Sequence, residues 1–263
     1  MNTKRNEDGK DISSQFGSPR SSSSRTRGGV RCNDVSWANY LLMAVNVLVF
    51  VVGLVLDRVL HYDGFLYRRG LLYAPLILKG QGFYRLLTSV FLHADAGHLT
   101  NNMIVQFAGG DIVEKNLGHW RFIALYLLSG VAGNIVSVFH DYITGEYGFS
   151  IGASGAVFGV IGALLFLILQ DVKRRGEVRK DRWEEDAPAP EAPRPYGGGR
   201  DAGAAARQLL LRAGVMTAWL LYSGWVNPRI NQAAHVGGLF SGFLLAAVLM
   251  YRRPKADVGM LLS

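Results

Sequence analysis

Few residues in this chain could do chemistry, and each lies against apolar sequence. Ser154, within Gly152-Ala153-Ser154-Gly155, opens one apolar stretch. His235 follows Asn231-Gln232-Ala233-Ala234 near the start of another. His98 and Asn102 open a third, four residues apart and therefore on one face of a helix. A serine hydroxyl is a poor nucleophile until a base removes its proton, and a histidine with a pKa of about 6.5 does so at neutral pH. Acyl transfer also needs donors aimed at the developing oxyanion. The Asn102 amide, the His98 ring and backbone N–H groups around Gly152 could supply them, one such donor being worth about 3 kcal/mol of barrier. No acidic residue within an apolar stretch is placed to orient His235, so the expected pair is a Ser–His dyad. Taken singly, a serine in a Gly-rich helix is ordinarily a packing residue and a lone histidine a satisfied structural group. The conjunction of the three sets favours catalysis.

Composition fixes where these groups sit. Of 263 residues 49% are apolar and only 18% charged, against about 25% in soluble domains. More than half of the charges fall in 1–36 and 171–207, which leaves long apolar runs elsewhere. A helix of about 20 mostly apolar residues crosses the hydrocarbon core. The spacing predicts six: about 37–56, 98–113, 120–140, 155–170, 209–226 and 233–251. The fold class is therefore all-α, a polytopic membrane protein with a six-transmembrane-helix bundle at 37–251. The first run lacks the small-residue cleavage site of a signal peptide, so it reads as a retained span.

Lysine and arginine counts give the orientation. With the N-terminus inside, the inner segments hold 21 basic residues and the outer ones 6, Arg212 lying within the fifth helix. Both termini are then cytosolic. Helices two, four and six all begin on the outer side, so His98 with Asn102, Ser154 and His235 lie at similar depth. The orientation came from loop charge alone, so this convergence is independent of the chemistry. The Gly155-x-x-x-Gly159 and Gly238-x-x-x-Gly242 patterns provide flat surfaces for close helix approach, which the short Ser154 and His235 side chains require. At 16 residues the fourth helix is shorter than the core, as suits an outer end facing a water-filled recess.

The appendages are of other kinds. Residues 1–36 read as a disordered basic tail, 171–207 as a semi-extended inner linker and 252–263 as a C-terminal tail. Loop 58–97 is long, but too apolar for disorder, and is expected to pack at the membrane interface. A net charge of +8 resides in these tails and loops rather than on a face interleaved with aromatics, which argues against nucleic-acid binding. Cys32 is the single cysteine, which excludes a disulfide framework and a cysteine-based zinc site. No metal-ligand cluster is visible in the spans, and His61, His119 and His140 read as structural or interfacial. A solute transporter would call for repeat symmetry or paired broken helices, and neither is visible.

At these residues the sequence resembles the rhomboid family of intramembrane serine proteases. The resemblance rests on Gly152-Ala153-Ser154-Gly155-Ala156-Val157-Phe158-Gly159, Ala234-His235-Val236-Gly237-Gly238 and the His98-x-x-x-Asn102 element. Tyr84-Arg85 and Phe91-Leu92-His93 are similar to the family's outer loop, and the match covers about 80–250. It implies that Ser154 is nucleophile and His235 base, with the His98/Asn102 element as oxyanion site. It implies further that no cofactor is needed, that substrates are single-span membrane proteins, and that the bilayer is a plasma membrane or endomembrane. The absence of a seventh span disfavours the mitochondrial subtype. Where the family often has Glu-x-Arg after helix two, Glu114-Lys115-Asn116 keeps the acid and replaces the arginine, which bears on stability more than on chemistry. The alternative within the resemblance is a non-proteolytic member that binds transmembrane helices for quality control or trafficking; loss of Ser154 or His235 would favour it, and both are present.

Overall fold

In lipid every backbone polar group must find its partner within the protein, so long apolar runs become helices. The computed structural model describes residues 35–62, 64–184 (backbone alone from 174) and 231–251, with Gly214. The long helices are α1 (Trp37–Arg58), α5 (Ala96–Leu117), α6 (His119–Thr144), α7 (Ser154–Glu184) and α8 (Gln232–Tyr251). The loop after α1 folds into three short helices, α2 (Phe65–Gly70), α3 (Ala74–Leu78) and α4 (Arg85–Thr88), followed by a 3-10 turn at Ser89–Phe91. Two short strands, β1 (Leu72–Tyr73) and β2 (Phe149–Ser150), pair antiparallel with Leu72 opposite Ser150. The protein is mostly helical, and the strand pair is a small exception to the all-α expectation.

Among the described residues, four helices are long and apolar enough to cross a membrane: α1, α6, Ser154–Lys173 of α7, and α8. The protein is accordingly an integral membrane protein. The second expected span, α5, matches α1 in length at 22 residues. It stands outside that group because Asn102, Gln106, Asp111, Glu114 and Lys115 punctuate it. The expected fifth helix at 209–226, the tail at 1–34, the linker from 185 and the tail from 252 lie outside the described residues, as does Cys32.

Two expectations are corrected. The fourth helix does not stop at 170, nor is it short; it continues to Glu184, so the first part of the 171–207 segment is helical rather than extended. The reason is local: 173–184 consists mainly of Lys, Arg, Glu and Val without proline, and good helix formers carry a helix beyond its apolar part. The second helix starts at Ala96 because Asp95 caps it, its carboxylate accepting the His98 N–H at 2.8 Å.

Helix α7 is the centre of the bundle: 67% of its apolar window is buried, against 22% for α1. It meets α8 along glycines. A Cβ at Gly238 would collide with the Gly155 carbonyl and one at Gly242 with the Gly159 carbonyl, while one at Gly162 would come 2.8 Å from the Phe243 nitrogen. The α6 face joins the same seam, since a Cβ at Gly133 would stand 2.6 Å from the Ala234 carbonyl oxygen. Such backbone approach supplies dispersion contact, which must drive association where no hydrophobic effect operates between helices.

The opposite end of the bundle is tied by Glu114. Its buried carboxylate accepts the N–H groups of Ala38 (3.0 Å) and Asn39 (2.6 Å), and the His119 Nδ1 lies 2.5 Å away. A carboxylate at the first turn of α1 satisfies two orphan donors and complements the helix dipole, worth up to about 2 kcal/mol when buried. This acid therefore has partners without an arginine at 116; Asn116 donates to the Ile112 carbonyl at 2.8 Å instead. Replacing Gly238 by valine is expected to destabilise the fold by about 1–3 kcal/mol or more. Gly148→Ala, where nothing stands within 4 Å, should change stability by less than about 0.5 kcal/mol. Thermal unfolding of both variants in lipid nanodiscs checks the pair.

Candidate active site

Strand β2 runs straight into the turn that opens α7, so whatever holds β2 also holds Ser154. Pairing with β1 fixes one side, and the Tyr73 and Phe149 rings meet at a tilt of 38° with centroids 4.9 Å apart. The Gly152 N–H donates to the Ser89 carbonyl at 2.9 Å. Asn134 on α6 secures that partner in turn, donating to the Ser89 hydroxyl at 2.9 Å and to the Leu86 carbonyl at 2.8 Å. Gly152 has φ +129, a backbone region that side chains rarely adopt. The glycine is required for space as well, since a Cβ there would come 2.6 Å from His98 Cε1 and 2.7 Å from Nε2. The His98 ring thus lies directly on the turn two residues before the serine.

His235 reaches the same place from α8. Asn231, just before that helix, accepts the Ala234 N–H at 3.0 Å and donates to the Ser150 hydroxyl at 3.1 Å and to the Ser137 hydroxyl. One side chain therefore joins the start of α8 to β2 and to α6. Four residues on, the nearly buried His235 ring stacks on Phe158, centroids 4.3 Å apart and planes inclined by 17°. Phe158 lies one turn beyond Ser154 on the same face of α7. Beside this stack, Gly155 lies under the Ala234 carbonyl, 3.5 Å from where its Cβ would be. The chain beside Ser154 thus approaches the chain beside His235 so closely that a methyl group on Gly155 would touch the Ala234 carbonyl. The His235 Nδ1 is buried without a partner among the described residues, and so is the Asn102 Nδ2. An amide N–H with no acceptor among the described residues, on the face of α5 that carries His98, is a donor available to a ligand atom.

Sequence reasoning assigned no role to several participants. His93, fully buried, sets its ring edge-on to His98 at 5.3 Å and receives the Ala153 N–H at a long 3.5 Å. The Tyr67 hydroxyl donates to the His93 carbonyl at 2.6 Å. In the sequence His93 figured only within the Phe91-Leu92-His93 run that resembles the family's outer loop, with no role of its own. Phe158 stood within the Gly152–Gly159 motif, but no role was assigned to it. Among the described residues no group of three or more His, Cys, Asp or Glu could hold a metal ion.

An integral membrane protein with a glycine-seamed helix pair, a serine at the mouth of one helix and a histidine in the other defines a recognisable class. The chain belongs to the rhomboid family, which is typified by serine intramembrane proteases: the sequence model of the Rhomboid domain matches residues 80–252. It is 29% identical to rhomboid protease GluP of Bacillus subtilis over 245 residues, covering 91% of this chain and 40% of that protein. It is 28% identical to the putative rhomboid protease YdcA of the same organism, over 66% of this chain and 70% of that protein. It is also 31% identical to RHOMBOID-like protein 5 of Arabidopsis thaliana, over 70% of this chain and 49% of that one. The chain thus spans less than half the length of two of these three relatives.

The buried loop histidine has a consequence for pH. Burial, and next the proximity of His98, lower the His93 pKa to about 4. The unfolded chain, with a value of about 6.5, then binds the proton that the folded one refuses. Full stability is present above pH 6.5 and declines as pH falls from there toward 4. His93→Gln should flatten that part of the stability profile, as followed by thermal unfolding between pH 7.5 and 4.5.

Proposed function

We propose that the protein is an intramembrane serine endopeptidase acting through a Ser154–His235 dyad. The observation that carries this reading is the His235 ring stacked on Phe158, one helical turn beyond Ser154, with Gly155 facing the Ala234 carbonyl beside it. Ser154 attacks the scissile carbonyl, and His235 takes its proton and returns it to the leaving amine. Water then hydrolyses the acyl-enzyme. The Asn102 amide and the His98 ring receive the oxyanion, with the turn at Gly152 beside them. His235 works without an orienting carboxylate, the stack on Phe158 fixing its ring plane instead.

The reading extends to the membrane domain as a whole. Six helices with both termini on the cytosolic side would place the site near the outer leaflet, in line with the 21-to-6 division of basic residues. Substrates are the transmembrane helices of single-span proteins. A helix hides its peptide bonds, so substrates with glycine or proline near the cut are preferred.

Reconstitution with a labelled single-span substrate tests the assignment. Ser154→Ala and His235→Ala should each abolish cleavage. Asn102→Ala should lower kcat by about 100-fold or more with little change in KM. Cleavage persisting in the Ser154→Ala protein would end the reading. Substrate binding by the wild type without cleavage would favour a helix-binding member of the family instead.

A further inference from the structure

Every fourth residue of α5 from His98 onward is polar or glycine: His98, Asn102, Gln106, Gly110 and Glu114. The two ends of this row have partners or a ligand-facing role. The middle does not. Gln106, the eleventh of 22 residues and so at mid-length of α5, is fully buried, and neither atom of its amide has a hydrogen-bond partner among the described residues. Asn39 on α1 is in the same condition, and the equally buried Asn46 leaves its Oδ1 unpartnered. Leaving five such atoms dry in an apolar interior would cost about as much as a whole fold is worth.

These amides are poorly placed to satisfy one another. The Asn39 side chain rests on Gly110, where a Cβ would come 2.7 Å from its Cγ, and Gln106 lies one turn away along α5. The start of α1 meets the end of α5, where Ala38 N–H reaches Glu114, so the two helices run in opposite senses. A Cα–Cβ bond tilts toward its own helix N-terminus. Asn39 therefore leans toward the Glu114 end, and Gln106 leans toward Asn102. Asn46, about 10 Å farther along α1, comes close to the height of Gln106. Its Nδ2 is already committed to the Leu42 carbonyl (2.8 Å) and the Tyr126 hydroxyl (3.1 Å).

We propose that the seam between α1, α5 and α6 is a water-binding site in which Asn39, Asn46 and Gln106 hold two or more ordered water molecules. Water is the ligand whose chemistry fits. The site offers amide donors and amide acceptors together and no unpaired charge, and a buried water takes two to four such partners. The row leads from Gln106 through Asn102 to His98, so the site extends inward from the candidate active centre.

The inference does not depend on proteolysis, so the test uses the full chain carrying Ser154→Ala, in lipid, at a resolution that shows ordered solvent. The expected result is two or more waters bonded to Gln106 and to at least one of Asn39 and Asn46. At least one of them should be lost in the Gln106→Met protein, whose side chain has similar length but no amide. A dry seam, with the amides bonded to one another or to backbone, overturns the proposal. So does an unchanged water set in Gln106→Met. Should that variant fail to fold, the Ser154→Ala seam decides the question by itself.

Discussion

The approach of α7 to α8 is the constraint on which the rest of the structure depends. Serine carries its hydroxyl two bonds from the backbone and the histidine ring spans only part of an interhelical gap, so the two can cooperate only where helices pack closely. Glycines at 155, 159, 238 and 242 permit that approach, and α6 adds Gly133 to the same contact. Association in lipid relies on this packing because the surroundings are as apolar as the helices. A helix pair selected for tight contact is thus also one that can present two small reactive groups to each other.

Around this contact the fold places its polar atoms in two layers. At the mouth of α7, Ser89, Asn134, Asn231 and the strand pair hold the turn before Ser154, using side chains from the loop, from α6 and from the entry to α8. At the far end, Glu114 caps α1 and engages His119. Polar groups inside a membrane domain are costly unless paired. Their concentration at these two levels leaves the intervening helix surface free for packing, apart from the Asn39, Asn46 and Gln106 amides.

Much of this was legible in the sequence because lipid limits the solutions. Among the described residues the apolar runs became the long helices, the run at 209–226 lying outside them, and the Gly-x-x-x-Gly spacings on α7 and α8 mark the seam along which these helices meet. Helix ends were less legible. The charged stretch after 170 looked like a linker by composition, yet it is helical to Glu184 because helix propensity and membrane residence are separate properties. The roles of the supporting residues were not legible, even where His93 and Phe158 stood within recognised motifs. His93, Asn134 and Phe158 act through contacts between segments far apart in the chain, and a single sequence carries no record of those. Glu114 was visible as an acid lacking its customary arginine; only the fold showed that the start of α1 and His119 partner it.

The most direct test of the central claim is covalent labelling of the chain in bilayers by a fluorophosphonate, which reports an activated serine without needing to know the substrate. Mass spectrometry should locate the label on Ser154 in the wild type. Labelling should fall at least 100-fold in His235→Ala, and comparably in a folded variant that widens the glycine seam at Gly238. Undiminished labelling of Ser154 without His235, or with the seam opened, would contradict the account.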